Sequence, residues 1–170
     1  GPCLPKDTAA LYRYAAEGGV DMSIVRSVID RNNDAPNRAI EALGSLPGTR
    51  VAVIGLAFKP NTDDTRESPA VVVCRRLASQ GADVVVFDPN AKTPPVELPE
   101  VVTVNTGDVW DTVAGADCLF VATDVCGVGG WDWLRVADLM RGRVVVDGRN
   151  VADPDAVRAA GLEYHAIGRS

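Results

Sequence analysis

From residue 50 onward, short apolar runs alternate with segments that are typical of helices. The apolar runs have the length of strands and are bounded by turn-forming residues. In the first intervening segment, Pro69 suits the first turn of a helix and Gly81 suits the position after its last turn. The predicted strands cover 50–58, 83–89, 101–105, 118–123 and 143–150, with an edge strand at 162–168, and the predicted helices cover 68–81, 108–116, 131–140 and 153–161.

Strands that are apolar on both faces and alternate with helices indicate a parallel sheet covered on both sides. The predicted fold is therefore α/β, with a Rossmann-like doubly wound parallel sheet. Ligands bind such sheets beyond the carboxyl ends of the strands. The positions to consider as a site are therefore those that directly follow strands, namely 58–67, 88, 123–130 and 148–150.

A short helical segment precedes this sheet. Residues 8–17 predict one helix and residues 21–43 predict a second, with an apolar stripe of Ile24, Val25, Val28 and Ile29. Two helices of this size cannot bury the stripe alone, so they should pack on the α/β domain or on another chain. The composition changes at 46–48, which divides the chain into 1–46 and 47–170.

Composition and charge narrow the class of protein. The net charge of −6 argues against a nucleic-acid partner that is bound by bulk electrostatics. No apolar run approaches the ~18 residues of a membrane span, and no leader segment is visible. The four cysteines match no metal or redox spacing, and a reduced, cytoplasmic protein is expected. Cys74 and Cys118 lie in apolar segments and are expected to be buried hydrophobes, whereas Cys126 is expected to be an incidental exposed thiol in a loop.

The loop after the first strand departs from a dinucleotide site. Such a site needs G-x-G-x-x-G at this turn, whereas the chain has GLAFKPNTDDTRESP with only Gly55 in place. A standard NAD site on this domain is therefore not expected. Asp88 ends the second strand where a ribose-binding acid would lie, but turn chemistry favours a strand-ending turn.

Three cations follow strands at the same edge of the predicted sheet. Lys59 and Arg66 lie after the first strand and Arg149 after the fifth, an arrangement that suits phosphate groups. The alternative, which the residues alone leave equally open, is a solvated loop whose cations pair with nearby acids. Those acids are Asp63, Asp64 and Glu67.

Three long segments carry a resemblance to a known family. GPCLPKDTAAL, GLAFKPNTDDTRESPA and VVVDGRNVADPDAVRAAGLEYHAIGR resemble the bacterial UDP-glucose 6-dehydrogenases, within the UDP-glucose/GDP-mannose dehydrogenase family. That family has an N-terminal Rossmann domain for NAD, a central helical segment that dimerises and a C-terminal Rossmann-like domain for the nucleotide sugar. The resemblance implies that 1–46 is the end of the central segment and 47–170 the UDP-sugar domain. NAD would be bound mainly by a domain that this chain lacks.

The resemblance also implies a chemistry for the first motif. The family oxidises the sugar C6 alcohol to a carboxylate in two NAD-dependent steps, and Cys3 matches its nucleophile, which forms a thiohemiacetal and then a thioester. Lys6 would supply a cation beside the thiol, and Asp7 would handle the hydrolytic water. Local pattern alone favours Asp7 or Thr8 as the cap of a helix that begins near Thr8. The whole CLPKDT motif reverses that preference.

The remaining site residues follow from the same resemblance. Phe58, Lys59 and Arg149 would contact the nucleotide sugar, and Arg66 would reach toward NAD across the cleft. His165 has no support from a motif and is expected to be a buried structural residue. The stretch TDVCGVGGWDW at 123–133 stands where many relatives have an aromatic-rich segment, and because it lies at the ligand edge the identity of the sugar stays open. Its glycines, Gly127, Gly129 and Gly130, are expected to make the loop mobile or tightly turned.

Several functions remain possible for a chain of this length. The full-length protein would be a homodimeric UDP-glucose 6-dehydrogenase, and this chain alone is expected to bind a UDP-sugar without catalysing its oxidation. The alternatives are a non-catalytic nucleotide-sugar-binding and dimerisation module, or a relative that acts on GDP-mannose or another UDP-sugar. A stand-alone NAD-binding domain is disfavoured by the missing glycines. The helix at 21–43 should self-associate through its stripe or be locally disordered before Leu46.

Overall fold

The computed structural model describes residues 3–168 and contains one parallel sheet of six strands in the order β3-β2-β1-β4-β5-β6. The α/β fold with a Rossmann-like doubly wound parallel sheet is therefore confirmed. The sixth strand lies at the edge of the sheet, as predicted. The strands are β1 (Arg50–Ile54), β2 (Asp83–Phe87), β3 (Thr103–Asn105), β4 (Cys118–Val121), β5 (Val144–Asp147) and β6 (Glu163–Ala166).

The strands are shorter than the apolar runs that predicted them. The run at 50–58 continues past Ile54 as a buried turn, because the backbone N–H groups of Leu56 and Ala57 donate to the Asp88 carboxylate instead of to a neighbouring strand. The third strand is only partly buried, since it lies at the other edge of the sheet.

Helices α3 to α6 connect the strands and begin at side-chain caps. In α3, the Ser68 hydroxyl accepts from the Ala70 N–H at 3.2 Å, Pro69 occupies the first turn, and Gly81 follows the end with a φ of 87°. Asp108, Asp132 and Asp153 cap the other three helices. These helices are α3 (Pro69–Ser79), α4 (Val109–Val113), α5 (Trp133–Leu139) and α6 (Pro154–Ala159).

The N-terminal segment forms α1 (Cys3–Glu17) and α2 (Ser23–Glu41). The first helix begins earlier than the predicted start near Thr8, because Pro5 is tolerated within a first turn. The Thr8 hydroxyl donates to the Leu4 carbonyl at 2.7 Å from within the helix. Neither Asp7 nor Thr8 is therefore the N-terminal cap, and the capping alternative is wrong.

The second helix packs on the α/β domain through its last turns. Ala39 and Ile40, followed by Leu43 and Leu46, are buried in one core cluster with residues of α3 and β1. The Arg76 guanidinium extends this contact, donating to the Asn37 side chain and to the Asn33 carbonyl. The pattern placed the apolar stripe earlier in the helix, where the structure leaves Ile24 and Val28 exposed.

The sheet is covered on both faces, and no helix in the described part of the chain is long and apolar enough to cross a membrane. One core cluster joins α2 and α3 to the sheet. The other joins α4, α5 and α6 to the opposite face. The division of the chain at residue 46 stays a prediction.

Two isoleucines on α2 test which part of the helix belongs to the domain core. Ile40 is 3% exposed and Ile24 is 80% exposed. We expect Ile40→Ala to lower the free energy of unfolding by about 2–4 kcal/mol, since it leaves a cavity in a packed core. The matched variant Ile24→Ala should change it by less than about 0.5 kcal/mol. Urea unfolding at low protein concentration measures both, and equal losses would contradict this packing.

Candidate functional site

The carboxyl ends of the strands bring several loops to one edge of the sheet. The turn after β1 contacts the segment after β4 so closely that a Cβ on Gly55 would lie 2.5 Å from the Cβ of Thr123. The φ of 92° at Gly55 also favours glycine. The buried Thr123 hydroxyl donates to the Ala57 carbonyl at 2.7 Å, which joins the two segments.

A fully buried carboxylate organises the turn after β1. One oxygen of Asp88 accepts from the N–H groups of Leu56 and Ala57 at 2.8 and 3.0 Å. The other oxygen accepts from those of Asn90 and Ala91 at 2.9 and 3.0 Å. Asp88 thus ends the strand in a turn, as its turn chemistry indicated.

The same bonds decide whether this turn fits a dinucleotide. In a dinucleotide site, the backbone N–H groups of the first turn meet the pyrophosphate. Here Leu56 and Ala57 already donate to Asp88. The first turn of this sheet therefore does not fit the pyrophosphate of NAD.

A second buried carboxylate organises the loop after β5. Asp147 is 0% exposed and accepts from the N–H groups of Arg149, Val151 and Ala152 at 2.8–2.9 Å. The Tyr164 hydroxyl donates to the same carboxylate at 3.1 Å. These bonds fix the backbone beside Arg149. This role of Asp147 was not predicted from the sequence, although an aspartate at the end of an apolar strand is a visible signal for it.

The loop after β1 separates the three cations into two groups. Arg66 donates to both oxygens of Asp64, at 2.9 and 2.7 Å. Hydrogen bonds from Arg66 lower the pKa of Asp64 to about 2, and the carboxylate in turn raises the pKa of Arg66. By contrast, Lys59 and Arg149 form no ion pair with any residue that the structure describes. The paired-loop alternative thus holds for Arg66 and not for the other two.

Lys59 contacts its neighbour Phe58. The Lys59 ammonium lies 5.4 Å from the centroid of the Phe58 ring. The ring is half-buried, and the Phe58 N–H donates to the Asp64 carbonyl at 3.1 Å. The loop that holds Arg66 therefore also holds the backbone of Phe58.

A cleft of about 350 Å³ lies between α2, α3 and the carboxyl edge of the sheet. Its size falls within the range of small-molecule sites. Arg149 lines it from the loop after β5, Glu67 from the loop before α3, and Pro5 from the first turn of α1. Phe58, Lys59 and Arg66 do not line it, although they lie on the loop that ends at Glu67. From the sequence, Glu67 falls in the 58–67 stretch after the first strand and has one specific predicted role, as an ion-pair partner, which the structure does not give it.

The residues of the first motif lie at the start of α1. The Lys6 ammonium is 3.7 Å from an Asp7 carboxylate oxygen, and both side chains are largely exposed. Cys3 is the first residue of the helix, whereas its side chain, like Gly1 and Pro2, lies outside the described residues. The backbone thus places all three residues within two turns of Pro5, which lines the cleft.

The histidine and the three cysteines outside the first motif occupy structural positions. His165 is half-buried, with its Nε2 atom 2.8 Å from a Glu163 oxygen, so the prediction of a buried residue is wrong, because β6 is an edge strand. Cys74 and Cys118 are buried as predicted, and burial raises their pKa values to about 12 and 11. Cys126 is exposed as predicted. Its pKa is raised to about 11, mainly by the loss of solvent around the sulfur and then by the negative charges of nearby carboxylates.

The glycine-rich loop after β4 is tightly turned. Cys126 and Gly127 both have left-handed φ values of 61°, and a short 3-10 helix follows at Val128–Gly130. The Trp131 indole N–H donates back to the Cys126 carbonyl at 3.0 Å. Of the two conformations expected from its glycines, the structure therefore shows the tight turn.

The ion pair of Arg66 and Asp64 predicts an acid titration. Because the pKa of Asp64 is lower in the folded chain, at about 2, than its ordinary value of about 3.9, the pair stabilises the loop above pH ~4 and loses this effect as the pH falls through the folded pKa. We expect the carboxyl to titrate near 2 by NMR, and closer to its ordinary value in Arg66→Ala, which removes the side-chain bonds and keeps the bond from the backbone N–H. The control Arg75→Ala should leave the midpoint in place, and an unchanged midpoint in Arg66→Ala would contradict the pairing.

Known proteins are similar to this chain in sequence and in fold. The UDP-glucose 6-dehydrogenase YwqF of Bacillus subtilis (strain 168) is 36% identical over 174 residues, which cover 99% of this chain and 39% of that protein. The structure of a UDP-glucose dehydrogenase from the hyperthermophilic archaeon Pyrobaculum islandicum matches 100% of this chain and 38% of its own, with a TM-score of 0.80 and 37% identity. A UDP-D-ManNAc dehydrogenase from Pyrococcus horikoshii matches 99% of this chain and 38% of its own, with a TM-score of 0.78 and 30% identity.

These matches set both the family and the extent of the likeness. The chain spans 38–39% of the length of these three proteins. The model of the UDP-glucose/GDP-mannose dehydrogenase family, UDP binding domain, matches residues 52–154, from β1 to the start of α6. The chain therefore belongs to the UDP-glucose/GDP-mannose dehydrogenase family and carries its UDP binding domain.

Proposed function

We propose that this chain supplies the nucleotide-sugar site of an NAD-dependent UDP-glucose 6-dehydrogenase. The observation that carries the proposal is Arg149, a cation without an acidic partner among the described residues, which lines a cleft at the carboxyl edge of the UDP binding domain. A guanidinium is suited to phosphate because it can donate to two oxygens at once. The buried Asp147 fixes the backbone from which Arg149 extends.

The loop after β1 supplies the other proposed contacts to the substrate. Lys59 would add a second positive charge near the diphosphate, and Phe58 would pack against the sugar nucleotide. The Phe58 N–H bond to the Asp64 carbonyl supports this role, because it fixes the loop before a ligand arrives. Arg66, held by Asp64 and 83% exposed, is proposed to reach toward NAD on a domain outside this chain.

The first motif would supply the covalent chemistry. The Cys3 thiolate is proposed to add to the C6 aldehyde of the sugar as a thiohemiacetal, and Lys6 would favour the thiolate by its charge. NAD accepts the hydride in each oxidation when it is bound. Asp7 would then orient the water that hydrolyses the thioester, which releases the carboxylate and frees the thiol. The placement of Pro5 at the cleft supports this arrangement, since Cys3 is two residues away along the chain.

The full-length protein is proposed to act as a homodimer. Exposed apolar side chains on α1 and α2 support a contact with the second subunit at these helices. They are Leu4, Leu11, Tyr14, Ile24 and Val28. The proposed location is the cytoplasm.

A second candidate is the same chemistry on a different UDP-sugar. One of the matching structures is a UDP-D-ManNAc dehydrogenase at 30% identity, which favours this alternative. The glycine-rich turn at 123–133 lies at the ligand edge and differs from the expected segment, so it bears on the choice of sugar.

Calorimetry with separate ligands tests the proposed site. We expect the chain to bind UDP and UDP-glucose, to bind GDP-mannose more weakly, and to show no binding of NAD, because Asp88 occupies the first-turn N–H groups. Arg149→Met should weaken UDP binding by about 10–100-fold, as the loss of a charged hydrogen bond requires. Arg75→Met removes the same charge from an exposed site on α3 and should leave the affinity unchanged. Binding of NAD in preference to UDP would overturn the proposal.

Turnover separates an enzyme from a binding module. We expect no NADH formation from this chain with UDP-glucose and NAD, since the first turn of its sheet does not fit the cofactor. Absorbance at the NADH band measures this directly. A longer protein that includes the upstream region should form NADH from UDP-glucose and NAD, and Cys3→Ser in that protein should abolish this turnover. Clear turnover by the present chain would contradict the proposal that NAD is bound by a domain outside this chain.

A further inference from the structure

Glu67 has a backbone conformation that its side chain does not favour. Its φ is 53°, in the left-handed region. Three other non-glycine residues in the described part of the chain share this region, and two of them are asparagines, which tolerate it well. A glutamate gains no such local hydrogen bond. Strained residues of this kind tend to persist where function needs them.

The surrounding backbone keeps Glu67 in this conformation. On one side, the N–H of Arg66 donates to the Asp64 carboxylate at 3.0 Å. On the other, the Ser68 N–H donates to the Thr65 carbonyl at 3.1 Å, and the buried Ser68 caps α3. A glycine could follow the same path without strain, so the path itself does not require a glutamate.

The Glu67 carboxylate has no partner among the residues that the structure describes, although cations are near it in the sequence. Arg66 pairs with Asp64, and Lys59 lies beside Phe58. Glu67 instead lines the cleft between α2 and α3, together with Arg149. The third charged residue of the lining, Arg76, donates to Asn37 and to the Asn33 carbonyl. The cleft thus holds two uncommitted charges of opposite sign.

We propose that Glu67 is a specificity-determining residue that accepts hydrogen bonds from the sugar hydroxyls of the bound nucleotide sugar. This inference rests on the proposed function, in which Arg149 binds the diphosphate of the same ligand. A carboxylate accepts from hydroxyl groups and repels phosphate, so the two charges divide the cleft between the two parts of the substrate. Pro5 lines the same cleft, which places the sugar on the side of the first motif.

Two substitutions at Glu67 separate recognition from strain. Glu67→Gln keeps the size of the side chain and removes its charge, and we expect it to weaken UDP-glucose binding about tenfold. The affinity for UDP should stay the same or rise, because a negative charge near the diphosphate is lost. Glu67→Gly should also weaken UDP-glucose binding, and it should raise the Tm by roughly 2–4 °C because glycine relieves the left-handed strain. Calorimetry and thermal unfolding of the present chain measure these changes.

Asp63→Asn removes one negative charge from the same loop outside the cleft lining, and it should leave the ratio of the UDP and UDP-glucose affinities unchanged. Equal affinities of Glu67→Gln and the unsubstituted chain for UDP-glucose would overturn the role of Glu67, as would an equal loss of UDP and UDP-glucose binding. If the unsubstituted chain bound neither ligand, the proposed function itself would fail, and this inference with it.

Discussion

The carboxyl edge of this sheet depends on two buried carboxylates. Asp88 and Asp147 are both 0% exposed, and a buried charge is costly unless hydrogen bonds satisfy it. Each one accepts backbone N–H groups from the loop that follows its own strand, and Asp88 also accepts from the turn after β1. The backbone N–H groups of these loops would otherwise be unsatisfied, and their bonds to the carboxylates fix the conformation of the loops. The side chains that would contact a ligand extend from these fixed loops.

The same interaction gives a Rossmann-like sheet a different use. In a dinucleotide site, the first-turn N–H groups are free for phosphate and an acid at the end of the second strand is free for ribose. Here the acid and the N–H groups satisfy each other. The charges that have no ion-pair partner among the described residues lie instead on Lys59, Glu67 and Arg149. Glu67 and Arg149 line the cleft, and Lys59 lies on the loop after β1.

The second helix connects the proposed chemistry to the domain. Its last turns belong to the core, and Asn32 and Asn33 from its middle line the cleft that Pro5 also lines. Burial of Ile40 therefore has a consequence beyond stability, since it sets the wall against which a ligand would lie. The apolar stripe in the first turns, which is the strongest pattern in that segment, contributes little to this contact.

The sequence by itself determined the order and type of the elements, the parallel sheet, the position of Pro69 in the first turn of α3 and the family motifs. These features depend on residues that are close together in the chain, where apolar patterning and capping act. It did not determine the early start of α1, the pairing of Arg66 with Asp64, the half-exposed His165 or the position of Glu67 in the cleft. Those depend on tertiary structure: Asp88 meets Leu56 across 32 residues, and His165 is half-exposed because its strand is at an edge. A local pattern shows that a side chain is charged, whereas only the fold decides whether that charge is already paired.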